Sequence, residues 1–478
     1  MTQPPQPPPY QPPPAPGAVP PPAGPPRRRR GRSKPKGPLV TGVVMAVALV
    51  IGGVWFATGG KKDGKGSPDS PGAAAELLHT VPRPKVAERT DTVGMWTTDK
   101  NFVKAGADDI RGYPLKGGAA EWTVPLGGAV CWSAPHPTED GRTAVLFQDG
   151  EGNCTWVGLV DLTAGELLWK RRTVERGSTS GYPVSFEKVA VGGGTVAAGG
   201  NSGGAGWSLE GKRLWMPDRE APGCPVDAYA GDGDKLVALR ECGTSEPGPD
   251  EIQTLDTGTG KARSSYRLPS DALYTDIASV DPLVLAVHSE SGGESADRLV
   301  TVDDSAAEAT ARSRIEVTRG YELDCGSGLE GCKGVVVHPR SGLLYLGSES
   351  GPTQDKPFLG NTIVAFDLKT GRKAGETEAE RGRTLLPVGT GSDGSVYALR
   401  TATTTESGGL WRIGPKADGA AERLRFPAGK RATEEQFARF GELEGQVLYS
   451  RGRVYMGALE IDDTPGRSQV LAAVYGER

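Results

Sequence analysis

The chain has 478 residues, 70 glycines, 39 prolines and a formal net charge of −4. So even a balance argues against a basic polyanion-binding protein, and the length allows one very large domain or two or three ordinary ones. Glycine stands at about twice its usual share, and with many short Val, Leu, Trp and Tyr clusters this predicts β-structure rich in turns.

Residues 1–26 hold 14 prolines and no charged side chain. Proline fixes φ and removes backbone donors, so this stretch is expected to be disordered and to sample polyproline II. It could equally dock an aromatic groove. RRRRGRSKPK, residues 27–36, follows and extends the tail to residue 37. It reads as a topology signal touching anionic lipid; with no interleaved aromatic residue, nucleic-acid binding is not expected. Residues 38–58 then run 21 residues without a charge, enough for a transmembrane helix across a core of about 30 Å. The basic excess before this segment places the N-terminus in the cytoplasm and the remainder outside the cytoplasmic membrane. A cleaved signal peptide is the competing reading, against which stand a long basic region and a long apolar run. Residues 59–75 read as a flexible linker.

The six cysteines, Cys131, Cys154, Cys224, Cys242, Cys325 and Cys332, all follow the apolar segment. That fits an oxidising compartment. Sequence neighbours pair most naturally, as Cys131–Cys154, Cys224–Cys242 and Cys325–Cys332, although fifteen connectivities are open; six buried thiols are the alternative.

From residue 76 onward the sequence repeats. Segments ending at Trp122, Trp169, Trp215, Leu268, Val317, Glu376 and Phe426 share one order, and most ends lie about 46–50 residues apart. A short apolar strand precedes a variable loop; a second strand runs into a D-x-x-x-G-like turn; a third follows it. Aspartate at the start of such a turn bonds backbone NH groups, and glycine near its end permits positive φ. Four-stranded units of this length are propeller blades. The last unit stops after its third strand, while AELLHTVPR, residues 75–83, resembles GELLWKRR. An N-terminal strand is therefore expected to complete the last blade, giving an all-β, eight-bladed β-propeller over 76–478, with seven blades as the alternative.

At these turns the sequence resembles the PQQ-like repeat family. VDLTAGELLW carries Asp161, Gly165 and Trp169; AFDLKTGRKAG carries Ala365, Asp367, Thr370 and Gly371; TLDTGTGKARS carries Asp256, Thr259, Gly260 and Lys261; WSLEGKRLW keeps Gly211 and Trp215. The resemblance implies that Trp122, Trp169 and Trp215 dock between blades. It also implies one of two branches, quinone dehydrogenases or non-catalytic binding propellers, and the anchored architecture resembles propellers of actinobacterial type.

Searching the chain for chemistry favours the second branch. No adjacent cysteines and no C-x-x-C-H are present, so no quinone or haem cofactor is expected. His79, His136, His288 and His338 show no metal-binding spacing. Residues 230–235, AGDGDK, read as a blade turn. Glycine-rich 192–206 reads as strands and loops, and 431–445 as a short helix with Phe437 and Phe440 inward. No catalytic, cofactor or metal residue is assigned. The expected function is a membrane-anchored, extracytoplasmic, non-enzymatic scaffold for an envelope protein or ligand, contacted through loops 243–251, 289–297 and 349–360. A quinone-dependent enzyme, a hydrolase and a sensor acting through the tail are the competing readings.

Overall fold

The computed structural model describes residues 72–477 except 174–184, 201–202, 217–223, 241, 243–249, 290–295, 349–359, 381, 404, 464–469 and parts of 318–333 and 430–444. The Pro-rich tail, segment 38–58 and nearly all of the linker lie outside the described residues. Among those described, no helix is long and apolar enough to cross a membrane.

Among the described residues, eight sheets, each built on four antiparallel strands, succeed one another along the chain, and that of blade 7 gains a short parallel fifth strand. Blade 1 comprises Met95–Thr97, Asn101–Ala105, Asp109–Pro114 and Trp122–Pro125; blade 2, Val130–Ser133, Arg142–Gln148, Cys154–Asp161 and Glu166–Arg172. Blade 3 comprises Lys188–Gly192, Thr195–Gly200, Gly203–Ser208 and Arg213–Trp215; blade 4, Val226–Asp232, Lys235–Arg240, Glu251–Leu255 and Ala262–Arg267. Blade 5 comprises Ala272–Ser279, Val284–Ser289, Arg298–Asp303 and Thr310–Glu316; blade 6, Val335–His338, Leu343–Gly347, Thr362–Asp367 and Lys373–Glu378. Blade 7 comprises Leu385–Thr390, Val396–Arg400, Gly409–Ile413 and Ala420–Arg425. Blade 8 takes Gly445–Ser450, Arg453–Ala458 and Val470–Gly476 from the end of the chain and Glu76–Pro82 from its start. The expected closing strand is thus found, paired antiparallel from Glu76↔Gly476 to Pro82↔Val470. The sheets take up the chain already at Ala73, which pairs with Leu424 at the outer edge of blade 7.

The core lies between blades rather than within one. Val145 and Phe147 of blade 2 pack with Val103 and Ile110 of blade 1. Val284 and Leu299 of blade 5 pack with Val337 and Leu344 of blade 6. A four-stranded sheet with both faces apolar can bury them only against a sheet on either side, so the array must continue until it closes. At the closure Phe102 of blade 1 stacks on Tyr455 of blade 8 with centroids 5.0 Å apart, and Phe426 stacks on Tyr475 at 4.5 Å. First strands of blades 2 and 3, 3 and 4, 6 and 7, 7 and 8, and 8 and 1 touch along the centre. They are buried throughout in blades 2, 3 and 6, whereas the fourth strand of blade 2, Glu166–Arg172, buries only Trp169 fully.

The turns follow the sequence reading. Asp161 Oδ1 accepts from the NH groups of Thr163 and Ala164 at 2.7 and 2.8 Å, and Asp367 Oδ1 from that of Thr370 at 2.8 Å. The glycine closing the first of these turns, Gly165, has φ +71°. Residues 230–235 form a turn, with Asp232 closing one strand and Lys235 opening the next. Between 431 and 445 the expected helix is overturned at the described positions. Ala438–Arg439 and Glu442–Leu443 are short antiparallel strands. Gly441 and Gly445 in the sequence each weaken a helix by about 1 kcal/mol relative to alanine. Phe437 and Phe440 lie outside the described residues.

Candidate functional site

Strand direction sorts the molecule into two faces. In every blade the first strand starts at the end where the second stops and the third begins. The first-to-second and third-to-fourth connections gather at the opposite end, the turn face. Tight turns such as Gly193–Gly194 and Thr163–Gly165 occupy it. The other end, the loop face, carries the long connections from Arg240 to Glu251, Ser289 to Arg298 and Gly347 to Thr362. These are the three loops singled out from the sequence; their interiors lie outside the described residues.

All three disulfides sit on the loop face. Cys131 in the first strand of blade 2 bonds Cys154, which opens the third. Cys224 before blade 4 bonds Cys242 after its second strand, and Cys325 bonds Cys332 in the approach to blade 6. The turn face depends instead on glycine, aspartate and the docking residues described below.

Buried charge collects at the same end. Lys188, the first residue of blade 3, holds its ammonium 3.3 Å from the Trp132 ring centroid. Burial lowers its pKa to about 8, while Glu187, Asp276, Asp91 and Asp227 pull upward. Asp91 is raised to about 6, first by burial and then by Glu460. Lys104, fully buried, donates to the carbonyls of Thr92, Gly94 and Ala105, and burial lowers its pKa to about 7. In blade 5 His288 Nε2 lies 3.1 Å from Asp276 Oδ2, and Tyr274 stacks on the imidazole at 3.9 Å. A histidine oriented by a carboxylate is the supporting half of an acid–base pair. It forms because Tyr274 and His288 face each other across adjacent strands, which sets Asp276 one diagonal step away. Nothing in the spacing of residues 276 and 288 announces it.

Among the described residues, two groups could offer metal ligands: Cys224, Cys242 and Glu251, and Asp276, His288 and Cys325. In both, the cysteines are disulfide-bonded here. The other histidines have structural partners. His338 Nε2 meets Gly391 O at 3.0 Å and its Nδ1 accepts from Ser341 N at 3.1 Å. His136 faces Asp232 at 4.0 Å on the turn face.

The three tryptophans lie between blades. A Cβ on Gly165 would come within 2.4 Å of the Trp122 ring, one on Gly211 within 2.9 Å of Trp169, and one on Gly260 within 2.6 Å of Trp215. Trp169 Nε1 donates to Leu209 O at 2.9 Å and Trp215 Nε1 to Thr257 O at 2.8 Å, each crossing to the next blade. The same register position continues where tryptophan stops. Ser264, paired with Thr254 as Trp169 is with Leu159, donates to Ala306 O at 2.5 Å. Ser313 donates to Leu368 O at 2.6 Å. At Gly375 the blades come so close that a Cβ would meet Lys416 O. Leu424 takes the place in blade 7, and in blade 8 it falls to His79, which packs on Gly117. Repeat reading from tryptophan alone misses these last five positions, although AELLHTVPR had already put His79 in line with Trp169.

No protein-family model matches the sequence, and no curated protein matches it. Among solved structures, the chain is similar to BamB from Moraxella catarrhalis, at 14% identity over 82% of this chain and 99% of that one, TM-score 0.44. It is also similar to quinohemoprotein alcohol dehydrogenase from Comamonas testosteroni, at 13% over 85% and 76%, TM-score 0.43. Saccharomyces cerevisiae Sqt1 aligns at 11% over 85% and 99%, TM-score 0.45. Its own ring of sheets makes the chain a β-propeller.

Proposed function

We propose that this propeller is a non-enzymatic binding scaffold, anchored in the cytoplasmic membrane through residues 38–58 with its tail inside and its loop face presented to a protein or ligand of the cell envelope. One observation carries the reading: the disulfides, the buried charges and the longest connections share a single end of the molecule. Binding residues gather on loops that a rigid frame holds in place, and cross-links on that end alone fix loop roots where no sheet can. The expected disulfides agree with an oxidising compartment.

A photoreactive side chain at Thr405, exposed in the second-to-third connection of blade 7, should capture an envelope protein in intact cells. The same group at Thr163, exposed on the turn face, should capture none. Equal capture at both positions, or none at Thr405 and none in the three long loops, would sink the proposal. Topology is tested separately: a tag on Met1 should resist protease added outside the cell, and one after Arg478 should not.

A further inference from the structure

Two arginines are buried side by side on the loop face of blade 7. Arg400 ends its second strand and is 8% exposed; Arg383, two residues before its first strand, is 5% exposed. Arg400 lies over the Trp411 ring at 4.9 Å. Burial and then the charge of Arg400 hold Arg383 below the usual arginine range, while Glu380 pulls it upward. Arg383 Nη1, Arg400 Nε and Trp411 Nε1 are buried donors with no hydrogen-bond partner among the described residues. Like charges held together, with N–H groups left over, destabilise a fold unless acceptor oxygens meet them. The carboxylates already present are of two kinds. Glu422, buried, lies 3.5 Å from Arg400 Nη2 and is fixed by both Nε and Nη2 of Arg425. Glu406 pairs with Arg383, and Glu380 accepts from Arg400 Nη1 at 3.0 Å. These two side chains are 63% and 57% exposed, and both sit in connections rather than in strands.

We propose that Arg383 and Arg400 form a site for carboxylates of an acidic peptide segment, and that Glu406 occupies it until such a segment arrives. Guanidinium forks match carboxylates in geometry, and water-shielded pairs of this kind are the strong ones. Arg383, Arg400 and Arg425 balance Glu380, Glu406 and Glu422, so a carboxylate that replaces Glu406 leaves the charge unchanged. A phosphate dianion would add charge beside Glu422, which cannot swing away. The site rests on the scaffold reading for its partner and names the chemistry that the loop face would recognise at blade 7.

The test uses the full chain in an uncharged detergent and a short peptide of alternating glutamate and glycine, blocked at its ends and labelled with rhodamine. Fluorescence anisotropy should show saturable binding, absent for the same peptide with glutamine in place of glutamate. Arg383→Gln and Arg400→Lys should each weaken binding at least about tenfold. Glu406→Gln empties the site of its own carboxylate and should tighten binding about threefold or more, an effect that arginines serving only to clamp the blade would not give. Sodium acetate should displace the peptide better than inorganic phosphate at equal ionic strength. Circular dichroism establishes the β-fold of each variant, and Glu406→Gln decides the matter if both arginine variants fail to fold. No binding, equal binding of the glutamine peptide, full affinity in a folded arginine variant, no tightening in Glu406→Gln, or better displacement by phosphate would overturn the proposal. Peptide binding is read on purified protein and capture at Thr405 in cells, so each can fail while the other stands.

Discussion

At one register position, just after the bulge in the fourth strand of most blades, this chain places tryptophan three times, serine twice, then glycine, leucine and histidine. The position demands contact with the neighbouring blade rather than a given side chain. An indole fills it by packing and one hydrogen bond, a serine by the hydrogen bond alone, and Gly375 by letting two backbones approach. Trp169→Ala should therefore lower unfolding free energy by about 3–5 kcal/mol, and Ser264→Ala by only about 1 kcal/mol, measured by denaturant titration. A Trp169 variant as mild as Ser264→Ala would show that the ring is dispensable. Lys104 makes a different prediction. Its folded pKa, about 7, lies below its ordinary value of 10.5. The unfolded chain therefore holds the extra proton between those values, and stability rises with pH across that window. Unfolding measured at pH 7 and pH 9.5 should show a positive slope that Lys104→Met flattens; equal slopes would place the ammonium elsewhere.

At the scale of strands, the closing segment decides whether the ring exists. Without Glu76–Pro82, blade 8 would show the free edge of Val470–Gly476 to solvent, and an unpaired edge recruits other chains. Val81, buried in that strand, also packs in the core that joins blades 7, 8 and 1. Deleting residues 72–82 should lower the midpoint of thermal unfolding and yield oligomers in light scattering. A monomer of unchanged melting temperature would mean that three strands suffice for blade 8. Sequence similarity between 75–83 and the other fourth strands made this pairing legible. The short pair Ala438–Arg439 with Glu442–Leu443 was not, because its helix-like composition says nothing about what lies beside it.

For the molecule as a whole, the two faces are secured by different means. The turn face rests on local chemistry repeated in several blades, with aspartate caps and positive-φ glycines, and carries no cross-link among the described residues. Loop roots on the other face are tied by Cys131–Cys154, Cys224–Cys242 and Cys325–Cys332. The first of these spans 23 residues, and replacing both cysteines by serine should cost about 3 kcal/mol. Under reductant, limited proteolysis should cut first at the connections of the loop face while the turns of blades 2 and 6 stay intact. First cuts in those turns would contradict this division.

The sequence by itself determined the repeat, its strand order and the aspartate–glycine turns, since all of these join residues close along the chain; it favoured the neighbour pairing of cysteines and left the other connectivities open. Closure at eight blades was legible because the first strand copies the other outer strands. What only the tertiary structure decided lies across strands and between blades. The diagonal meeting of Asp276 with His288 and Cys325, the carbonyl cage around Lys104, and the serines that replace tryptophan all depend on register and on a neighbouring sheet. A periodic pattern states which face of a strand is buried; it does not state which residue of the next sheet waits there.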